Sequence, residues 1–118
     1  MKHVLIFIAM LLFPMLLNAE APKEKHWMCS SAGFSDDGPT LFVSNVFAST
    51  KPSDIKSRIR VEQKFYDVVV QKDELFQGLP ATCDVSWSKE QAEKNLKTLL
   101  IIATEKYDFD VRFIDFVY

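Results

Sequence analysis

The chain has 118 residues, of which 14 are basic and 16 acidic, and its formal net charge is −2 at pH 7. A nucleic-acid-binding protein needs a concentrated basic stripe, and a protein that adheres to anionic lipid needs a polybasic patch. This near-neutral chain has neither, so both classes are excluded. The 48% of hydrophobic residues is enough for one modest core in a single domain.

The first 21 residues have the organisation of a secretory signal peptide. A short basic start that includes Lys2 precedes an uncharged apolar run over residues 4–17. This run is shorter than the roughly 20 residues that span a bilayer, and Pro14 interrupts it. Small residues then form an Ala-x-Ala cleavage site at Ala19 and Ala21, and Leu17-Asn18-Ala19 is a near alternative that would leave Glu20 as the new N-terminus. An uncleaved membrane anchor is the alternative interpretation.

Cleavage after residue 21 leaves one domain of residues 22–118, exported to the periplasm or the cell exterior without a stable membrane anchor. The removed segment carries one basic residue, Lys2, and one acidic residue, Glu20. The net charge of the mature domain is therefore still −2.

Two β-rich segments begin the mature domain. They are "HWMCSSAGF" at 26–34 and "TLFVSNVFAS" at 40–49, and both are rich in aromatic and β-branched residues. The sequence Asp37-Gly38-Pro39 between them is strong turn chemistry. The pattern predicts a β-hairpin.

A helix is predicted from residue 53 to residue 74. Ser53 can cap its start, and Asp54 is favourable in the first turn. At 100° per residue its apolar side chains fall within one arc, which contains Ile55, Ile59, Phe65, Tyr66 and Val69. Glu62 lies near the centre of that arc. It is either a functional buried carboxylate or a partner of Arg58 at the edge of the arc.

A third strand, "ATCDVSW" at 81–87, leads into the second predicted helix. Ser88 and Gln91 form a capping box at the helix start, and Trp87 is expected to pack at the helix entry. One face of the helix is apolar and carries Ala92, Leu96, Leu99, Leu100, Ala103 and Tyr107. The final segment, "DFDVRFIDFVY" at 108–118, predicts a fourth strand.

These elements predict a single small α+β domain in the order β-β-α-β-α-β. It contains a mixed four-stranded sheet, two helices and one disulfide. The predicted disulfide joins the first strand to the third and therefore holds these two strands close together. We expect the first strand to lie between the second and third, antiparallel to both, with the fourth strand at one edge.

Cys29 and Cys83 are the two cysteines of the chain. An exported domain matures in an oxidising compartment, where an even cysteine count normally means pairing. A catalytic thiol would need a base, and His26 is the single histidine of the mature domain. A metal site would need three or four suitable ligands, so no metal and no cofactor are predicted. Free or intermolecular thiols are the alternative to the bridge, which would stabilise the domain by about 4 kcal/mol.

Both faces of the second and fourth strands are apolar, unlike a sheet with one wet face. Either the two helices cover opposite faces, or both pack on one face and leave the other bare. A bare face would be a contact surface for a protein partner or for a second copy in a homodimer. Its residues would be Phe42, Val46, Ile114, Phe116 and Tyr118.

The signal peptide, "MCSSAGF", "LFVSNVF" and "TCDVSWS" together resemble small, uncharacterised exported bacterial proteins with two cysteines. In that group a cysteine-bearing strand precedes a strand that ends in Ser-x-Val-Phe, and a second cysteine precedes a helix. Residues 44–47, "SNVF", match this ending. The resemblance covers most of the mature chain and implies no catalytic residue and no named activity.

The sequence therefore predicts a non-enzymatic binding protein with a protein partner, such as an inhibitor or an accessory of envelope assembly. His26 beside Trp27 is a candidate pair for partner contact. A self-associating structural subunit is a second hypothesis. A third is a small hydrolase that uses carboxylates such as Asp84, Asp108 or Asp110, although no spacing places two of them at a working separation.

Overall fold

The computed structural model of the protein describes residues 23–118. The predicted signal peptide and its cleavage site lie outside the described residues. Strand β1 (Lys25–Ser35) turns directly into β2 (Gly38–Ser44), as the hairpin prediction requires. Gly38 has a φ of 109°, a conformation that favours glycine, and it allows the tight turn.

The remaining elements follow in chain order. They are β3 (Phe47–Ser49), α1 (Ile55–Lys72), β4 (Gln77–Gly78), β5 (Thr82–Ser86), α2 (Lys89–Ile101) with a π-helical turn (Ile102–Lys106), and β6 (Asp110–Ile114). Within residues 23–118, no helix combines the length and the apolar character that crossing a bilayer requires.

Strand β1 lies at the centre of a mixed sheet. It pairs antiparallel with β2 and β3 along one side and with β4 and β5 along the other. Strand β6 pairs in parallel with β2 at the edge of the sheet. The α+β class is confirmed, as is the position of the first strand between the second and third predicted strands.

A β-bulge separates β2 from β3. Ser30 pairs with Val43, whereas Trp27 pairs with Phe47. Three residues, 44–46, therefore lie opposite two residues of β1, so the segment contains one extra residue. The sequence prediction of one uninterrupted strand over 40–49 is wrong at this point.

The bulge reverses the alternation of side chains along the segment. Phe42 and Phe47 are five positions apart and would face opposite sides of a regular strand, yet both lie in the same core cluster. Hydrogen bonds hold the bulge in place. The Ser44 hydroxyl accepts the Cys29 N–H at 2.8 Å, and the Asn45 Oδ1 accepts the Phe116 N–H at 2.8 Å.

The two helices cover opposite faces of the sheet. Helix α1 buries Val61, Phe65 and Val69 against the face that includes Phe42. Helix α2 and its π-helical turn cover the face that includes Leu41, with contributions from Leu96, Leu99, Leu100 and Ala103. The domain therefore has two cores, one on each side of the sheet.

Of the two alternatives that the sequence left open, the structure has the one in which the helices cover opposite faces, and the alternative of a bare apolar face is wrong. Phe42, Ile114 and Phe116 are only 3%, 4% and 6% exposed, because α1 covers them. Val46 and Tyr118 are half-buried. The chain has one helix for each face, so most apolar residues of these strands are core residues, whereas Phe113 and Val117 are exposed.

Helix α1 begins at Ile55 instead of residue 53, and the face that packs on the sheet is centred elsewhere than predicted. Asp54 occupies the N-cap position without a side-chain cap, and the Ser53 hydroxyl lies 2.6 Å from Lys25 Nζ. Ile55 and Ile59 are exposed. At 100° per residue, Ile59 lies about 200° and Ile55 about 240° around the helix axis from Val61. Val61 marks the face that contacts the sheet, so both isoleucines point away from it.

The start of α2 is as predicted, and its end is not. The Ser88 hydroxyl accepts the Gln91 N–H at 3.1 Å. The π-helical turn adds a residue to the last turn and shifts the helix face, so Tyr107 is 55% exposed. Asp108, with a φ of 54°, ends the turn, and the Phe109 N–H bonds the Ala103 carbonyl at 2.9 Å.

The predicted Cys29–Cys83 disulfide is confirmed. It joins directly opposite residues of β1 and β5, with 4.0 Å between the Cα atoms and a sequence separation of 54. Both cysteines are almost fully buried beneath α1. The bridge therefore links the central strand to one edge strand inside the larger core.

Candidate functional site

Helix α1 contacts the outer edge of β5 through two charged side chains. Arg58 Nη2 donates to the Cys83 carbonyl oxygen at 2.8 Å, and Glu62 Oε2 accepts the Cys83 N–H at 2.9 Å. One turn of helix separates the two side chains, so they reach the same peptide groups. We call this pair the edge clamp.

The clamp follows from the register of β1 and β5. Cys29 and Cys83 face each other at a short Cα distance, which is typical of a non-hydrogen-bonded antiparallel pair. The N–H and C=O of Cys83 therefore point away from β1. At an edge strand these groups would meet only water or another strand, and α1 satisfies both.

A groove runs beside the edge clamp, between α1 and the chain segment that leads into β5. Its volume is about 440 Å³. The residues that line this α1 groove are Ile59, Glu62, Gln63, Tyr66, Asp67, Gly78, Pro80 and Ala81. The helix residues recur at intervals of three and four, so they form a continuous stripe along about two turns, or roughly 12 Å.

The α1 groove is apolar with an acidic character. Ile59 is 46% exposed on one wall, and Ala81 is 5% exposed and belongs to the core. Among residues 23–118, Glu62 and Asp67 are the charged residues of the lining, and no lysine or arginine lines the groove. The groove can therefore accept an aliphatic side chain, with a cation beside it.

The carboxylates of the hydrolase hypothesis do not come together. Asp84 pairs with Met28, next to the Cys29–Cys83 pair that faces α1, so its side chain lies on the α2 side of the sheet. Asp110 on β6 lies on the α1 side. Two strands separate β5 from β6, which is roughly 14 Å across the sheet, and the register places Asp110 level with Gly33, five positions along β1 from Met28, which adds roughly 17 Å along the strands. Asp108 lies in the turn before β6.

The Asp110 carboxylate belongs to an ion-pair network around Arg112. The Arg112 guanidinium bonds Asp110 at 3.1 Å, Asp37 at 3.1 Å and Asp73 at 3.5 Å, and it lies over the Phe42 ring. The hydrogen bond to Asp110 is the main cause of the raised pKa of Arg112. The network joins the β1–β2 turn, the end of α1 and β6, which is a structural role.

The burial of the two tryptophans, Trp27 and Trp87, differs from the sequence prediction. Trp27 is fully buried, so it cannot contact a partner beside His26, and its indole N–H has no hydrogen-bond partner among residues 23–118. Trp87 is 72% exposed instead of packed at the helix entry. The Lys25 ammonium lies 4.8 Å from the centre of its ring.

The comparisons with protein-family models, with curated proteins and with solved structures found no match. The functional interpretation therefore depends on the sequence and on the geometry of the described residues. In residues 23–118, no group of three or more His, Cys, Asp or Glu side chains is arranged to hold a metal ion.

Sequence reasoning identified Glu62 as unusual but not the α1 groove beside it. The missing parts were the segment at 76–81 and the orientation of α1. That segment reads "FQGLPA", which the sequence predicts only as a break between two elements of secondary structure. In the structure, Phe76 and Ala81 are buried. The signal that could have found the groove is Ile59, an apolar residue outside the Val61 stripe of the helix and one turn before Glu62 and Gln63.

Proposed function

We propose that the protein is an exported, disulfide-stabilised binding protein with a protein partner. In this proposal the α1 groove holds an aliphatic side chain of the partner, next to a partner lysine or arginine. The single observation that carries the proposal is an open apolar groove whose charged lining, within the described part of the chain, consists of Glu62 and Asp67.

The disulfide and the N-terminal sequence support export. The Cys29–Cys83 bridge is buried and joins neighbouring strands, as expected of a structural bridge formed in an oxidising compartment. The signal-like sequence of residues 1–21 supports the same compartment. A periplasmic or extracellular domain of this kind acts on partners that it meets after export.

The groove chemistry favours binding over catalysis. The Glu62 carboxylate is already engaged with the Cys83 N–H, and the carboxylates proposed for hydrolysis lie on opposite sides of the sheet. An aliphatic side chain gains about 1.5–3 kcal/mol when it is fully buried. A flanking cation near Asp67 adds selectivity, because the lining described above offers no competing positive charge.

A random peptide display library selected against the mature protein tests this proposal. We expect enriched peptides to place Leu, Ile, Val or Met next to Lys or Arg. Ile59→Glu should weaken their binding by about tenfold or more, since a charge replaces an apolar contact. Ile55→Glu is the matched control, because Ile55 is 79% exposed on the same helix and does not line the groove.

The charge requirement has its own test. Asp67→Lys should remove the preference for basic peptides and select acidic ones. Equal loss of binding in Ile59→Glu and Ile55→Glu would contradict the proposal. So would a set of enriched peptides without an aliphatic residue, or one that Asp67→Lys leaves unchanged.

A further inference from the structure

The two edges of the sheet differ in how they are covered. The edge clamp satisfies β5 at Cys83, as described above. Strand β6 pairs with β2 along one side. Among residues 23–118, no backbone group bonds the other side of β6 itself, whereas the Phe109 N–H just before the strand is already bonded to the Ala103 carbonyl. That side presents a free row of N–H and C=O groups, which is a template for another strand.

The sequence along this open edge is complementary to itself. Residues 109–113 read Phe-Asp-Val-Arg-Phe. When this segment is turned antiparallel about its central residue, Val111 faces Val111 of a second copy, and each Asp110 faces an Arg112. Each Phe109 faces a Phe113. Opposite charges and aromatic pairs directly across two antiparallel strands stabilise the pairing.

The two faces of the strand separate these contacts. Asp110 and Arg112 lie on the α1 side of the sheet, whereas Val111 and Phe113 lie on the α2 side. A two-fold axis perpendicular to the sheet at Val111 keeps each residue on its own side. The ion pairs therefore form on one face and the aromatic pairs on the other.

The exposure of the segment leaves room for a second strand. Phe113 is 62% exposed although it lies on a strand, and Phe109 and Val111 are half-buried. Asp110 is exposed, and Arg112 retains 32% of its side-chain surface in contact with solvent. Pairing would cover the Phe113 ring with the Phe109 ring of the second copy.

We propose that β6 is a self-association edge: two copies pair antiparallel through residues 109–113, centred on Val111, to form one continuous sheet. Five residues of strand edge bury less surface than the standard interface of about 800 Å² per partner. The dimer is therefore concentration-dependent and dissociates on dilution. This interface is separate from the α1 groove, so either proposal can fail without the other.

Analytical ultracentrifugation of the mature protein over a concentration series tests association. We expect the wild-type mass to rise from monomer towards dimer. Asp110→Arg should keep the protein monomeric, because it sets the introduced guanidinium against Arg112 of the other copy on both sides of the axis. Asp115→Arg makes the same charge change just outside the paired segment and should dimerise like wild type. Circular dichroism should show the wild-type fold for both variants, with a lower Tm for Asp110→Arg because it also removes the ion pair between Asp110 and Arg112 of the same copy.

The register has a more specific test. Val111→Cys places the new thiols opposite each other across the axis, within the distance range of a cross-strand disulfide. Mild oxidation should give a covalent dimer in high yield. Asp115→Cys, with an exposed thiol four residues away, should give little. A wild type that stays monomeric at the highest concentration would overturn the proposal, and so would equal cross-linking of the two variants.

Discussion

Phe116 offers a direct test of the covered sheet face. The side chain is 6% exposed, and its ring lies edge-on to Phe47 and Phe65 at centroid distances of 5.4 and 5.3 Å. Truncation of a buried phenylalanine to alanine costs about 3–5 kcal/mol. A domain of this size has roughly 5–15 kcal/mol in total, so Phe116→Ala removes a large part of it.

The expected shift is large enough to measure by thermal or urea denaturation followed by circular dichroism. Each kcal/mol lowers the Tm of a domain of this length by roughly 4–8 °C, so Phe116→Ala should lower Tm by at least about 12 °C. Phe116→Glu should prevent folding, since it leaves an unpaired carboxylate in the core. Val117→Glu is the control, because Val117 is 74% exposed and should tolerate the charge. A folded Phe116→Glu with a Tm near that of wild type would refute the covered face.

Three further predictions follow from the sequence and the fold. Mass spectrometry of the exported protein should find a new N-terminus at Glu20 or Pro22, and an intact N-terminus on membrane-bound protein would contradict this. Cys29→Ala should lower the free energy of unfolding, measured in urea, by about 2–5 kcal/mol. Thiol reagents should not label the native wild-type protein. Glu62→Ala should cost about 1–3 kcal/mol, because it leaves the Cys83 N–H without its acceptor, and an unchanged unfolding midpoint would show that the edge clamp is not stabilising.

The order of the long elements and the disulfide were predictable because their signals are local, whereas the sheet has six strands instead of four, since the bulge divides the second predicted strand and the two-residue β4 was not predicted. The turn at Asp37-Gly38 and the Ser88 N-cap each lie within a few residues, and the structure confirms both, although the Gln91 side chain bonds Asn95 and does not complete the capping box. Two cysteines allow one intramolecular pairing. Because the disulfide joins the first predicted strand to the third, these two strands must lie next to each other in the sheet, which leaves few possible strand orders.

The distribution of the core was not predictable from alternation. A single extra residue at 44–46 moves Phe47 to the face of Phe42, and nothing in "SNVF" distinguishes a bulge from a regular strand. The sequence was equally ambiguous about which face of α1 packs on the sheet. Its apolar residues form two stripes, and only the tertiary packing selects Val61 over Ile59 for the core.

The functional surfaces were the least predictable part of the molecule. The α1 groove depends on contact between α1 and a short segment at 78–81 that has no periodic pattern. Gly33 shows why that segment lies where it does. A Cβ atom at Gly33 would overlap the backbone of Gln77 and Gly78, so only glycine permits the close approach of β4 to β1.

The edge clamp makes one boundary of the sheet dependent on the packing of a helix. If α1 detaches locally, Cys83 loses both of its outer partners, while the disulfide still holds β5 against β1. The result is a ready-formed strand edge, exposed together with the core face of the sheet that Val61, Phe65 and Val69 cover. Amide hydrogen exchange at Cys83 should therefore report the opening of α1, and aggregation at low denaturant should follow the rate of that opening more closely than global stability.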